Sequence, residues 1–168
     1  MTRRRRMIDI YKVEPYSTEE ITTILKAVNN SEYIVPVVIG LFTGMRESEI
    51  LALRWSDISF DQNTISITKQ LSRFTGEIEA PKSASTLQIS PHLKAFLAKI
   101  KENQQSRQDF VCIHEDGSTL TFDDLKQLPK AIAEHGIKFN FRTLRHTHIL
   151  TLKEEVTQER LGAILQTL

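Results

Sequence analysis

The stretch that decides the fold is residues 43–58, which read TGMRESEILALRWSDI. Apolar residues recur at helical spacing on both sides of Gly44, so the pattern predicts one core helix from about Tyr33 to Trp55. The same stretch carries Arg46, and Glu49 follows one helical turn later. Taken alone, this spacing indicates an ordinary ion pair on a helix surface.

Upstream, a first helix is predicted to begin just after Ser17. Ser17 and Glu20 have the spacing of a capping box, in which each side chain accepts a hydrogen bond from the other residue's backbone N–H. The residues that then repeat at helical spacing are Ile21, Ile24, Leu25 and Val28. A polar cluster at residues 29–31 ends this helix.

Downstream of Trp55, the apolar period changes from that of a helix to that of a strand. Residues 65–71 alternate between apolar and polar, and a second strand is predicted around Thr86–Ser90, with Gly76 and Pro81 between the two. Further helices are predicted to begin at Ser90-Pro91 and at Thr121–Asp124, another helix to run from Phe141 to Leu152, and a strand or extended segment to cover Phe110–Ile113. The expected fold class is α+β, mainly α, with helices around a small antiparallel sheet.

Length and composition favour a single globular domain. The chain has 168 residues, of which 40% are hydrophobic and 26% charged, enough to form a core and too apolar for wholesale disorder. We expect residues 16–168 to form the domain and residues 1–15 to be an arm or the stub of a linker. The longest apolar run, residues 33–42, is too short to span a bilayer. The single cysteine, Cys112, excludes an internal disulfide framework and favours a cytoplasmic location.

The charge balance excludes a general polycation. Lys and Arg total 22 against 21 Asp and Glu, and without the four arginines at the N-terminus the counts are 18 and 21. Any contact with nucleic acid must therefore rest on individually placed cations. The run Arg3, Arg4, Arg5 and Arg6 fits a DNA-tracking arm and a solvated terminus equally well.

Two more cations lie in distinctive contexts. Lys82 lies within residues 80–83, APKS, at the predicted turn between two strands. Arg145 lies within residues 141–148, FRTLRHTH, three positions after Arg142. Taken alone, Lys82 is an ordinary exposed hairpin lysine, and the two arginines are one cationic face of a helix.

Taken together and in this order, the three boxes resemble those of the tyrosine recombinase (phage integrase) family. The catalytic domain of that family carries TG-x-R-x-x-E-x-x-x-L-x-W-x-D-I, then a lysine in a β-hairpin, then H-x-x-R-H-T. The likeness covers roughly residues 16–162. It implies DNA integration by site-specific recombination, in an enzyme of a mobile element such as a prophage or transposon. It also implies double-stranded DNA and other recombinase protomers as partners, with no small-molecule substrate, membrane or cofactor.

The resemblance also assigns roles to individual residues. Arg46 and Arg145 would bind the scissile phosphate, Lys82 would protonate the leaving oxygen, and Arg142 would be a fourth cation. Breaking a phosphodiester builds negative charge on its oxygens, and guanidinium groups can bind those oxygens bidentately. Arg142 stands where the family has the first histidine of its box. Arginine keeps its proton at neutral pH, so this position retains charge and loses proton transfer.

Two departures from the family concern the nucleophile. The family attacks DNA through a tyrosine that follows an L-G-H element; Gly162 matches its glycine, and Ala163 stands where a donor side chain is expected. The three tyrosines of the chain all precede Arg46 and are Tyr11, Tyr16 and Tyr33. We therefore expect a domain that is incomplete at its C-terminal end and inactive alone. The tyrosine could lie further along the polypeptide, be lost through gene decay, or come from a partner protomer.

Two other classes of function stay open. One is a non-catalytic DNA-binding module that modulates an intact recombinase, with affinity that depends on Arg46 and Arg145 but not on Lys82. The other is a structural or protein-interaction domain, with no DNA binding above background. A metal site is not expected, because His146 and His148 have no carboxylate or cysteine at ligand spacing.

Overall fold

The architecture is a set of helices packed around two small antiparallel sheets, described by a computed structural model for residues 13–105, 109–151 and 155–168. The helices are α1 (Thr18–Val28), α2 (Ile34–Thr43), α3 (Glu47–Leu51), α4 (Pro91–Gln104), α5 (Phe122–Leu125), α6 (Leu128–Ala133), α7 (Phe141–Thr151) and α8 (Glu155–Thr167). The strands are β1 (Ile58–Ser59), β2 (Thr64–Ile67), β3 (Gln70–Leu71), β4 (Ile78–Glu79) and β5 (Ser85–Gln88). The expected fold class is confirmed.

Local side-chain signals start three of the helices where the sequence predicts them. The Ser17 hydroxyl accepts from the backbone N–H of Glu20 at 3.1 Å, and the Glu20 carboxylate accepts from that of Ser17 at 2.8 Å. The Ser90 hydroxyl caps α4, with Pro91 in its first turn. Thr121 and Asp124 form a third reciprocal pair before α5. Each of these hydrogen bonds satisfies a backbone donor that the first helical turn leaves unpaired.

The prediction of a single core helix from Tyr33 to Trp55 is wrong. The chain leaves the helix at Gly44, which adopts a left-handed conformation with φ of 66°. It re-enters a short helix, α3, at Glu47, and Trp55–Asp57 form a separate 3-10 turn. Apolar spacing continues through all three pieces, so periodicity alone does not reveal the break.

The sheet region is one long, interrupted hairpin. Strand β2 pairs with β1 on one side and with β5 on the other, while β3 pairs with β4 nearer the hairpin tip. The predicted strand over residues 65–71 is therefore two strands, separated at residues 68–69. The second predicted strand is confirmed as β5. Residues 110–113 form only isolated bridges, from Phe110 to Arg54 and from Ile113 to Thr119.

Close packing of α2 against α7 brings the distant sequence boxes together. Helix α2 is buried along its length, and a Cβ atom on Gly40 would lie 3.0 Å from Cδ2 of Leu144 on α7. Tyr16 fixes α7 from the other side, since its backbone N–H donates to the Thr147 hydroxyl at 2.9 Å. The C-terminal end of α2 therefore lies beside the middle of α7.

The cysteine lies within the hydrophobic core. Cys112 is 1% exposed and belongs to the same buried cluster as its neighbour Val111 and Leu120. Its backbone carbonyl accepts from the N–H of Leu120 at 3.0 Å. Burial raises the pKa of the Cys112 thiol. Among the described residues, no helix is long and apolar enough to cross a lipid bilayer.

Candidate functional site

The first arginine of the candidate site, Arg46, is held in place by a buried carboxylate. Glu49 is 3% exposed, and its two oxygens accept from the backbone N–H of Arg46 at 2.8 Å and from Nη1 of Arg46 at 3.0 Å. The Arg46 side chain is 43% exposed. Glu49 therefore fixes both the backbone and the guanidinium of Arg46 at the start of α3, and leaves one side of the guanidinium open to solvent.

The second arginine, Arg145, reaches from α7 to the break between α2 and α3. Its Nη1 donates to the backbone carbonyl of Gly44 at 2.5 Å. That carbonyl is available because the helix has ended, so no residue further along the chain takes it as a helical partner. The break that the sequence pattern does not show is thus the feature that anchors Arg145.

The two arginines lie close enough to influence each other electrostatically. Partial burial lowers the pKa of Arg145, the positive charge of Arg46 lowers it further, and the negative charge of Glu49 acts in the opposite direction. Two guanidinium groups around one carboxylate leave a net positive charge, which an anion would balance. Such a pair can donate hydrogen bonds to two oxygens of one phosphate.

Arg142 lies on the same side of α7 as Arg145. Both residues line a surface cavity of about 190 Å³ together with Val13, His146 and Ile149. Arg142 is exposed. The structure therefore brings three of the four proposed catalytic cations, Arg46, Arg142 and Arg145, to neighbouring positions.

The fourth cation, Lys82, is exposed between β4 and β5, beyond the turn that joins β3 to β4, and among the described residues no hydrogen bond or ion pair joins it to the arginines. The hairpin itself is tied to the arginine region through other side chains. Arg73 near its tip pairs with Glu47 at 2.5 Å and lies over the ring of Phe122. Lys69 pairs with Asp57. These contacts hold the first arm of the hairpin, at Lys69 between β2 and β3 and at Arg73 after β3, and neither involves the segment that carries Lys82.

The glycine that matches the family's L-G-H element, Gly162, lies in a close packing contact between two helices. Gly162 on α8 faces His92 on α4, and a Cβ atom at this position would lie 2.3 Å from the imidazole ring. Ala163 is exposed. Tyr16 is 6% exposed, and its hydroxyl donates to the Lys138 carbonyl and accepts from the Asn140 N–H. That phenol is therefore part of the core.

Two positioning groups are not predicted from the sequence pattern as parts of the site. The sequence predicts Glu49 only as the partner of Arg46 in an ordinary surface ion pair. In the structure, Glu49 forms this pair and also lies within electrostatic reach of Arg145. His148 is considered from the sequence only as a metal ligand and is rejected as one, yet its Nδ1 lies 2.9 Å from the Leu41 carbonyl. Only the fold reveals that contact, because 107 positions separate the two residues.

Within the described ranges, no group of three or more His, Cys, Asp or Glu side chains has a geometry that could hold a metal ion. The four arginines proposed as a DNA-binding arm, Arg3 to Arg6, lie outside the described residues. The site is therefore built from α2, α3 and α7, and its charge comes from arginine side chains.

Curated relatives resemble most of the chain at low identity. A "Tyrosine recombinase XerC-like" protein of Caldanaerobacter subterraneus subsp. tengcongensis is 23% identical, over 85% of this chain and 44% of that protein. The "Putative defective protein IntQ" of Escherichia coli K12 is 24% identical, over 88% of this chain and 39% of that protein. The chain thus spans less than half the length of these relatives.

Solved structures share the fold. The Tn1549 transposon integrase, solved in complex with transposon right end DNA, gives a TM-score of 0.68 at 19% identity, over 92% of this chain and 59% of that one. XerA recombinase gives 0.64 at 17% identity, over 91% and 57%. A lambda integrase dimer bound to a COC′ core site gives 0.56 at 21% identity, over 89% and 44%.

The sequence model of the phage integrase family matches residues 16–161, most of the chain. The match begins at Tyr16, the residue that attaches the chain to α7, and ends at the buried Leu161 of α8. It therefore includes every described element that builds the arginine site. By its sequence match, and in agreement with its fold, the chain belongs to the phage integrase family.

Proposed function

We propose that this chain binds a backbone phosphate of double-stranded DNA between Arg46 and Arg145, as the recombinase domain of a DNA integrase. The observation that carries the proposal is that Arg145 donates to the Gly44 carbonyl, two residues before Arg46, while Glu49 binds the Arg46 guanidinium, so that the two cations lie within electrostatic reach of each other. Arg142 would add a further cation at the edge of the same surface. Donors that are fixed before the substrate arrives are the main means of stabilising charge in a transition state.

In this proposal, the bound phosphate is the scissile one. Lys82 would approach the leaving oxygen from the hairpin and donate a proton to it. Strand cleavage and rejoining would use a tyrosine from outside residues 1–168, because no tyrosine follows Arg145 and the Tyr16 hydroxyl is bonded within the core. That tyrosine would come either from a longer polypeptide or from another protomer.

The wider setting is also proposed by similarity. The Tn1549 integrase was solved with transposon DNA, and the lambda integrase was solved as a dimer on a core site. We accordingly expect this domain to act on DNA beside other recombinase protomers, to derive from a mobile element such as a prophage or transposon, and to work in the cytoplasm. We expect it to need no small-molecule substrate and no cofactor.

Fluorescence anisotropy with a labelled DNA duplex tests the proposal. Arg46→Ala and Arg145→Ala should each weaken binding by about tenfold or more, since each removes charge-assisted hydrogen bonds to phosphate. The matched control is Lys130→Ala, which removes one positive charge from an exposed position of α6. It should change the affinity by less than about twofold. Circular dichroism should show the same helix content for all variants.

Two outcomes would contradict the proposal. If the wild-type chain shows no salt-sensitive DNA binding, the proposed function is wrong. If Lys130→Ala weakens binding as much as Arg145→Ala, the affinity reflects overall charge and the arginine site does not bind phosphate.

The second candidate function is a non-catalytic DNA-binding module. It is favoured by Arg142 in place of the box histidine and by the burial of Tyr16. To separate the two candidates, this chain is incubated with a nicked duplex and a second family member. That second protein carries its own tyrosine but lacks the arginine of its first box. The products are then run on a denaturing gel. A covalent protein–DNA adduct that Lys82→Ala diminishes supports the recombinase domain. Binding without any adduct supports the module.

A further inference from the structure

The last turn of α2 ends with backbone carbonyls that have lost their helical partners. In a continuing helix, the carbonyl of Leu41 would accept from the N–H of Met45. Here the N–H of Met45 donates to the Thr43 hydroxyl at 3.1 Å, because the chain turns at Gly44. The Leu41 carbonyl is buried against α7 and needs a donor from elsewhere.

Helix α7 supplies donors to this turn from two residues on one of its faces. His148 Nδ1 lies 2.9 Å from the Leu41 carbonyl, and because a carbonyl oxygen only accepts, the Nδ1–H is the donor. Arg145, three positions earlier and thus on the same face, donates from Nη1 to the Gly44 carbonyl. One face of α7 therefore holds both the end of α2 and the turn that follows it.

The His148 ring also covers the turn sterically. A Cβ atom on Gly44 would lie 2.7 Å from Cδ2 and 3.3 Å from Cγ of His148. The ring thus occupies the space into which a side chain at position 44 would extend. It limits rotation of the two peptide groups on either side, and one of these carries the carbonyl that holds Arg145.

We propose that His148 is a positioning residue for Arg145, acting through the Leu41–Gly44 turn. By fixing the direction of the Gly44 carbonyl, it holds one nitrogen of the guanidinium and leaves the other N–H groups directed at the anion. The part that concerns phosphate rests on the function proposed above; the part that concerns the Arg145 side chain does not.

Two substitutions separate the donor from the size of the ring. His148→Leu keeps an apolar side chain over Gly44 and removes the donor. His148→Asn places an amide nitrogen near the position of Nδ1 and restores it. His135→Leu, at an exposed position outside the site, is the matched control.

The first measurement is the side-chain N–H signal of Arg145 in nitrogen-15 NMR spectra of the free protein, assigned by its loss in Arg145→Lys. Hydrogen bonding to Gly44 should slow rotation and solvent exchange of that group. We expect the slowed signal in the wild type, His148→Asn and His135→Leu, and its loss in His148→Leu. A slowed signal that persists in His148→Leu overturns the proposal, and so does its loss in a folded His148→Asn.

The second measurement is a double-mutant cycle on DNA affinity. His148→Leu should weaken duplex binding by about three- to tenfold, the loss expected for one misdirected hydrogen-bonding group. The same substitution should have no effect in the Arg145→Ala background, whereas a merely structural effect would weaken both backgrounds equally. Equal weakening overturns the proposal. If Arg145→Ala itself leaves DNA affinity unchanged, the proposed function fails, and the NMR measurement alone decides the role of His148.

Discussion

Arg46 and Arg145 are held in place by groups that use only part of each guanidinium. Glu49 accepts from one nitrogen of Arg46, and the Gly44 carbonyl accepts from one nitrogen of Arg145. A guanidinium carries five N–H donors, so both retain donors for an incoming anion. The free protein therefore already fixes the two cations, and an anion would require little rearrangement of them.

A histidine outside this site joins three segments of the chain. His114 Nδ1 lies 2.9 Å from Glu32, and its Nε2 lies 3.2 Å from Asp124 at the start of α5. Partial burial lowers the pKa of His114, but the hydrogen bonds and charges of the two carboxylates together raise it more, so the net direction is upward. The charged imidazole is the form that can donate to both carboxylates.

We predict that this link makes stability depend on pH. Because the pKa of His114 is raised on folding, its contribution is fully present below about pH 6.5, the ordinary histidine value, and is lost as pH rises through the folded-state pKa. At about pH 6, His114→Gln should lower the free energy of unfolding by about 1 kcal/mol. Urea unfolding at a series of pH values should show this difference shrinking as the solution becomes alkaline.

The control for this prediction is His135→Gln, at an exposed position just after α6. It should leave the curve of stability against pH parallel to that of the wild type. A constant difference between His114→Gln and the wild type across the whole pH range would contradict the proposed link.

The sequence predicts the arginines of the site and the pairing of Arg46 with Glu49, but not the groups that hold Arg145. Arg46 and Arg145 stand in ordered boxes, so a family pattern is enough to identify them. The Gly44 carbonyl and the His148 imidazole contribute through backbone direction and through a contact between α2 and α7. Neither property leaves a periodic signal, and each depends on packing between residues that are far apart in the chain.

Helix beginnings are predicted well because their signals are local, whereas the end of α2 is not. Ser17, Ser90 and Thr121 each accept from a backbone N–H three positions later, so the cap is complete within one turn. Around Gly44, Phe42 and Met45 are apolar and buried, so the apolar pattern continues across the break. The break is stabilised by α7, and a one-dimensional pattern cannot show it.

We predict that Gly44→Ala is far more destabilising than the same change at Gly136. Both glycines have positive φ, 66° and 76°, and so share a strain of about 1 kcal/mol for an L-residue. A Cβ atom at Gly136 meets nothing within 4 Å, whereas at Gly44 it collides with His148. Gly44→Ala should therefore lower the free energy of unfolding by about 2–4 kcal/mol in total.

Urea unfolding of the two variants side by side measures the difference. Replacing His148 with alanine in the Gly44→Ala background should recover part of the loss, because it removes the colliding ring. Equal destabilisation by the two glycine substitutions would show that the His148 ring does not constrain the turn.

Across the complete chain, positive charge is concentrated rather than spread. Apart from Arg3 to Arg6, acidic residues outnumber basic ones, so the arginine site stands against a background that repels DNA. Most of the attraction to phosphate should therefore come from two places, the arginine site and the N-terminal arginines.

Salt dependence tests this division. We predict that replacing Arg3, Arg4, Arg5 and Arg6 with glutamine reduces the slope of log affinity against log salt by about 0.9 for each phosphate that these arginines neutralise. Arg145→Ala should reduce the slope by only about 0.9, the value for one phosphate. For each charge removed, however, it should lower the affinity more than the quadruple variant does. Anisotropy titrations over a range of salt concentrations give both slopes. An unchanged slope in the quadruple variant would mean that these arginines are a solvated terminus.

The burial of Cys112 gives the molecule a built-in reporter. It is the single thiol of the chain, it lies in the core, and burial raises its pKa, so the reactive thiolate is scarce while the protein is folded. A thiol-specific dye added to the native protein therefore labels only molecules that have opened, and the rate of labelling follows the population of opened molecules, or the opening rate where the dye reacts faster than the protein recloses. Conversely, a cysteine introduced at a fully exposed position, such as that of Phe74, would react with a dye in the folded protein while the buried Cys112 would not. Cys112 would therefore not need to be replaced.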